Sequence, residues 1–157
     1  MCVIDFIGVQ SYSSQQVDEH GPVPHPPHPD NTLAGVAYRP DALGIALRHA
    51  WDVTNGVPLV VTENGIATAD DTRRIDYTTG AIKGLLDCVD DGLDIRGYLH
   101  WTLLDNYEWG HWEPTFGLIS VDRETFVRTP KPSLAWLGEV ARSNGASIRK
   151  PAIEIAG

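Results

Sequence analysis

The chain is poor in cysteine, in positive charge and in long apolar runs, and each shortage closes off a class of function. Its two cysteines, Cys2 and Cys88, stand far apart in 157 residues. They are too few and too scattered for a disulfide framework or a cysteine-held metal centre. Free thiols in a reducing compartment are the expectation for both. Twelve Lys and Arg face twenty-one Asp and Glu, a formal net charge of −9, and the cations form no cluster. That balance argues against nucleic acid or anionic membrane as a partner. No apolar stretch approaches the ~20 residues of a membrane span. Met1 to Val9 is apolar but is broken by Asp5 and has no basic region before it, so it does not read as a secretory signal. A cytoplasmic location is expected.

What is present describes a globular α/β piece. Hydrophobic residues make up 42% of the chain and charged residues 21%, the balance of a packed domain rather than a disordered segment. Val3 to Val9 reads as a first strand. Residues 13–39 read as a long Pro-rich loop, because Gly21-Pro-Val-Pro-His-Pro-Pro-His-Pro can form neither helix nor central strand. His25 and His28 invite a metal, but the prolines stiffen the segment and no third ligand is evident. Pro40 opens a helix with Leu43, Leu47 and Trp51 on one face, and Asn55-Gly56 ends it. Pro58 to Thr62 reads as a strand buried on both faces. Asp70-Asp71-Thr72 caps a second helix with Ile75, Ile82, Leu86 and Val89 inward, ended by Asp91-Gly92. Ile95 to Trp101 is the last strand. Pro132 begins a final helix carrying Leu134, Leu137 and Val140-Ala141.

Two stretches carry chemistry: Val60-Val61-Thr62-Glu63-Asn64-Gly65, and Gly97 to Trp109. Each is a short apolar run ending abruptly in carboxylate, amide and indole groups. In parallel α/β sheets the carboxyl ends of strands line the active site. A Glu placed there is either reactive or a buried-charge liability, and Asn64 and Gly65 beside it favour the reactive reading. From the residues alone, Glu63 and Glu108 pair as nucleophile and acid. Any one Trp is better read as core packing. Three indoles within twelve residues, Trp101, Trp109 and Trp112, interleaved with polar groups, tip the balance away from that reading.

These residues resemble a known family. Val61-Thr62-Glu63-Asn64-Gly65 is similar to the nucleophile motif of glycoside hydrolase family 1, the β-glucosidases and β-galactosidases. Trp101 to Trp109 resembles that family's W-S-L-L-D-N-F-E-W segment, and Phe116 to Asp122 and Arg128 to Ser133 resemble its F-G-L-x-x-V-D and R-x-x-K-x-S stretches. Asp5 to Tyr12 is similar to its sixth barrel strand, D-F-x-G-x-N-Y-Y. The resemblance implies a (β/α)8 barrel and a retaining β-glycosidase, foremost a β-glucosidase, needing no metal or organic cofactor. It implies Glu63 as the nucleophile, with the Tyr12 hydroxyl orienting it and lowering its pKa. It reassigns Glu108 from acid to sugar-hydroxyl acceptor, with Trp109 beside it, Trp101 as the floor of the −1 subsite and Phe116 near the aglycone. Gln10 and Ser11 depart from the family's Asn and Tyr. The Trp109–Phe116 loop is one residue short, with Thr115 where an Arg often stands. His100 gets no catalytic role.

A barrel of this kind typically needs about 250 residues. Here the first strand already resembles strand six, and strands one to five have no counterpart. The family's acid/base lies in a T-x-N-E-P motif, whereas this chain's one Glu-Pro pair, Glu113-Pro114, follows strand eight. The expectation is therefore a single partial barrel domain over 1–157, strands six to eight with their helices, ending in a tail over 146–157. A truncated gene product, one half of a split enzyme and an excised segment all fit. Two open sheet edges and an uncovered interior imply a homo-oligomer, a complementary N-terminal half-barrel chain, or marginal stability. The chain alone is expected to be inactive or very weak toward β-glucosides. The alternative is a non-catalytic piece that assembles with another chain, or that binds sugar through Trp101, Glu108 and Trp109 without turnover.

Overall fold

The computed structural model describes residues 4–149. In chain order they form β1 (Ile7–Gln10), a hairpin of β2 (Gln16–Asp18) and β3 (Gly21–Val23), α1 (Ala42–Val53), β4 (Leu59–Glu63), α2 (Asp71–Asp90), β5 (Ile95–Tyr98), a second hairpin of β6 (Ile119–Val121) and β7 (Arg128–Pro130), and α3 (Pro132–Arg142). The central sheet has the order β1-β4-β5, all parallel. Each neighbouring pair is joined through a helix, giving two successive βαβ units. The register pairs Ile7 with Leu59 and Val9 with Val61, then slips so that Gln10 lies opposite Glu63. That slip sets the two strand ends side by side.

The helices cover one face of this sheet. Val9, Leu59 and Val61 pack on Leu43 and Leu47 of α1 and on Tyr77, Ala81, Leu85 and Cys88 of α2. The β-strand alternation sends the other residues to the opposite face. There Val60 and Thr62 are half-buried, and Phe6 and Leu99 lie 48% and 57% exposed. The expectation that β4 is buried on both faces is thus corrected, since no described residue covers the second one. Among the described residues β1 and β5 are each paired along one edge only.

Other boundaries also move. The segment 13–39 is not all loop, because β2 and β3 pair antiparallel with Pro22 opposite Val17. Both strands lie at the surface, where a proline costs no ladder bond. Helix α1 begins at Ala42 rather than Pro40, which sits in the preceding turn. β1 begins at Ile7, and Val3 lies outside the described residues. The inward face of α2 is Arg74, Tyr77, Thr78, Ala81, Ile82, Leu85 and Cys88, while Val89 is exposed. Of the aliphatic stripe, Ile82 is buried and Leu86 packs half-buried against the core, but the face also carries an arginine, a tyrosine, a threonine and a cysteine that the aliphatic pattern does not mark. In α3 Val140 is buried and Ala141 exposed. Residues 146–149 form turns held to α2 by Arg149 and Asp90 at 2.6 Å, and the remainder of the 146–157 tail lies outside the described residues.

The second hairpin was not foreseen. It is fixed by Lys131, whose Nζ lies 2.9 and 3.0 Å from the Asp105 carboxylate oxygens and donates to the Gly117 carbonyl at 2.8 Å. Burial lowers the Lys131 pKa and the Asp105 carboxylate opposes that shift. Asp71, at the start of α2, accepts from the Ser133 N–H at 2.8 Å and hydroxyl at 2.7 Å, docking α3. Burial acts to raise the Asp71 pKa, but the hydrogen bonds from Ser133 and Arg74 outweigh it and hold the carboxyl below its ordinary value.

Candidate active site

Glu63 ends β4, where the strand leaves the core. Each of its carboxylate oxygens has one donor from the end of β1. The Tyr12 hydroxyl donates to Oε2 at 2.7 Å and the Gln10 amide to Oε1 at 2.8 Å. Tyr12 is held neutral, its pKa pushed far up by burial, by donation to Glu63 and by that carboxylate's charge. A neutral phenol beside a carboxylate is a hydrogen-bond donor and not a competing base. In the sequence Gln10 stands only as a departure from the family's Asn. Its longer side chain, with the slip at Val9/Gln10, brings an amide to Glu63 all the same.

Beneath this pair lies a buried polar layer. Asn64 is fully buried; its Nδ2 donates to the Ser11 carbonyl at 2.6 Å and its Oδ1 accepts from Tyr98 at 2.9 Å. The Tyr77 hydroxyl, on α2, donates to the Tyr12 carbonyl at 2.6 Å. Burial pushes Tyr77 up to about 12 and raises Tyr98 further. The Tyr98 hydroxyl also lies 3.3 Å from His100 Nδ1. Burial lowers His100 to about 4, so its ring is neutral at ordinary pH. His100 faces this layer and is not among the residues that line the open cavity.

The second motif converges from β5. The Trp101 indole N–H donates to Glu108 Oε1 at 3.0 Å, and Glu108 is 8% exposed. A Cβ on Gly65 would overlap the Trp101 carbonyl oxygen, and one on Gly117 would meet the Asp105 main chain. These two close approaches let the strand ends and the 109–116 loop pack against one another. The Phe116 ring meets Tyr12 edge-on, with centroids 5.8 Å apart. Glu63, Tyr12, Gln10, Trp101, Glu108 and Phe116 together line a cavity of about 950 Å³. Trp109 stands at its mouth, 98% exposed. The left-handed backbone at Trp109, inside the turn closed by Glu108 and His111, throws the indole outward rather than over the floor.

Arg74 sets the loops around this cavity. Its buried guanidinium donates to the Ile66, Thr68 and Thr115 carbonyls at 2.9, 2.8 and 3.2 Å and pairs with Asp71 at 3.0 Å. Spacing alone gave no sign of it, because an arginine in a helix is ordinarily read as surface. A second cavity of about 580 Å³ lies under the Pro-rich segment, between His25, His28, Tyr38 and Arg73. Among the described residues no group of three His, Cys, Asp or Glu side chains is placed to hold a metal. Cys88 is a free, buried thiol whose pKa burial raises.

At the end of β4, then, a carboxylate carrying two donors opens on a cavity that an indole helps to line. A sequence model of glycosyl hydrolase family 1 matches residues 3–146, and the chain belongs to that family. It is 33% identical over 90% of its length to a thermostable β-glucosidase B of Thermobispora bispora, of which it covers 34%. It is 38% identical over 68% of its length to a bifunctional β-D-glucosidase/β-D-fucosidase of Bifidobacterium breve, covering 26% of that protein. Among solved structures, a β-glucosidase of Thermotoga maritima in complex with deoxynojirimycin superposes with a TM-score of 0.84 at 30% identity, over 91% of this chain and 36% of that one. The structural neighbours are family 1 (β/α)8-barrel enzymes, and this chain spans about a third of their length.

Proposed function

We propose that these residues form the nucleophile side of the −1 subsite of a retaining β-glucosidase, built on the last three strands, six to eight, of its barrel. The observation that carries this reading is Glu63, with a single donor on each oxygen, in one cavity with the Trp101–Glu108 pair. In the retaining mechanism the carboxylate attacks the anomeric carbon as the glycosidic C–O bond breaks and the leaving oxygen takes a proton from a general acid. Water then attacks the same carbon, gives up its proton to that group, and frees the carboxylate. Tyr12 and Gln10 hold the Glu63 carboxylate aimed, with one hydrogen bond to each oxygen. Trp101 supplies an apolar floor for the sugar's C–H face, and Glu108 accepts from its hydroxyls. The cavity's acidic side chains, with no Lys or Arg among its lining residues, suit a neutral sugar.

The general acid lies outside these 157 residues on this reading, so the polypeptide on its own hydrolyses cellobiose negligibly. Aryl glucosides with good leaving groups need less protonation and leave room for trace turnover. A complementary chain bearing the first five strands and an Asn-Glu-Pro motif should restore activity. A 2-deoxy-2-fluoro glucoside, which slows deglycosylation, should then label Glu63. Activity restored with the adduct on another residue overturns the nucleophile assignment. The free buried thiol of Cys88 accords with work in the cytoplasm.

One set of observations favours assembly as a second reading. The open edges of β1 and β5 and the exposed Phe6 and Leu99 on the uncovered sheet face call for a partner, either a second copy or a complementary half-barrel. Light scattering at micromolar concentration tests self-association. A monodisperse monomer with a cooperative unfolding transition refutes it.

A further inference from the structure

Tyr77 belongs to none of the sugar-facing motifs, yet its side chain ends under the nucleophile. β1 stops at Gln10, and the last ladder bond joins the Ser11 N–H to the Glu63 carbonyl at 3.2 Å. From Tyr12 onward the chain enters the 13–39 segment. What holds the main chain just there is a pair of buried side chains: Asn64 donates to the Ser11 carbonyl and Tyr77 to the Tyr12 carbonyl, each at 2.6 Å. The two grips are linked, with Asn64 Nδ2 3.4 Å from the Tyr77 hydroxyl. A fully buried hydroxyl needs a partner, and packing alone would be served by Phe. The geometry points to Tyr77, acting with Asn64, as the positioning residue for the nucleophile pair. It pins the Tyr12 backbone from the helix layer, so that the phenol meets Glu63 Oε2. Every member of this strut belongs to the present chain, so the Tyr12–Glu63 contact is set before any other part of a barrel docks. The inference rests on the reading of Glu63 as nucleophile, where an error of about 1 Å can cost about 10²-fold in rate.

The test is NMR of the 157-residue protein carrying tyrosine labelled at the ring hydroxyl carbon and glutamate labelled at the carboxyl carbon. In the wild type, slowly exchanging hydroxyl protons are expected on Tyr12 and Tyr77, the latter close to the Tyr12 main chain. Tyr77→Phe should leave the β4–α2 amide signals and the Trp101 indole N–H in place. In the same variant the Tyr12 hydroxyl proton should exchange roughly tenfold faster or more, as a locally opened site does, and the Glu63 carboxyl carbon should shift. A folded Tyr77→Phe protein whose Tyr12 and Glu63 signals stay unmoved overturns the proposal. Should that variant fail to fold, the wild type decides. A Tyr77 hydroxyl proton in fast exchange, or with no contact to Tyr12, overturns the proposal, and a protected one in contact upholds it. The fluoro-sugar adduct reads the Glu63 assignment separately, so either claim can fail without the other.

Discussion

Acidification should weaken this fold through His100. Burial, aided by the Arg74 charge and opposed by a backbone hydrogen bond at Phe116, lowers the imidazole from 6.5 to about 4. Above pH 6.5 the ring is neutral in both folded and unfolded chains and contributes nothing to the pH dependence. Between 6.5 and 4 the unfolded chain takes up a proton that the folded one refuses, so stability falls as pH falls. Below about 4 both forms are charged and the loss is complete. A separation of about 2.5 pH units at about 1.4 kcal/mol each amounts to about 3 kcal/mol, a large part of the ~5–15 kcal/mol that holds an ordinary domain together. The hydrogen bonds that lower Asp71 act in a lower window, below its ordinary 3.8, and do not mask the effect. Urea titrations at pH 7.5, 6.5, 5.5 and 4.5 should show the wild-type midpoint falling through this range. His100→Asn, which keeps an acceptor near the Tyr98 hydroxyl, carries its own fixed cost but should lose far less stability on acidification. If the two proteins lose stability in parallel from 6.5 to 4, the reasoning fails.

Three further outcomes follow from the packing. Gly65→Ala puts a methyl group into the Trp101 carbonyl oxygen and should cost about 2 kcal/mol or more, with a changed near-ultraviolet circular dichroism signal from the indoles; an unshifted urea midpoint refutes the close approach. Lys131→Met strands Asp105, whose side chain is 15% exposed, and should cost about 2–3 kcal/mol. Adding Asp105→Asn should recover part of that loss, because a buried unpaired charge is costlier than no pair at all. Trp101→Phe removes the donor to Glu108 Oε1 and should weaken sugar binding in a complemented enzyme by roughly tenfold, the worth of one hydrogen bond to a charged group; an unchanged KM contradicts the placement of that pair.

Much of the fold was written locally. Helix ends fell where Asn55-Gly56, Asp70 and Pro132 placed them, because capping and fixed φ act within a few residues. The strand around Val61 and its terminal Glu63 were likewise legible, since a short apolar run ending in a carboxylate has few other readings. The motifs also carried the family. What could not be read locally was everything that depends on partners distant in the chain. Gln10 reaches Glu63 only through a register slip between strands 53 residues apart. Arg74 and Tyr77 are buried because main-chain carbonyls from other loops wait for them, and polarity alone puts both at the surface. Trp109 turned outward through a backbone conformation that its side chain does not announce. The sequence by itself determined the three helices, the three parallel strands, their order and the chemistry offered at the strand ends. The tertiary structure decided which polar groups are desolvated and satisfied, because that balance depends on hydrogen-bond partners supplied from across the fold.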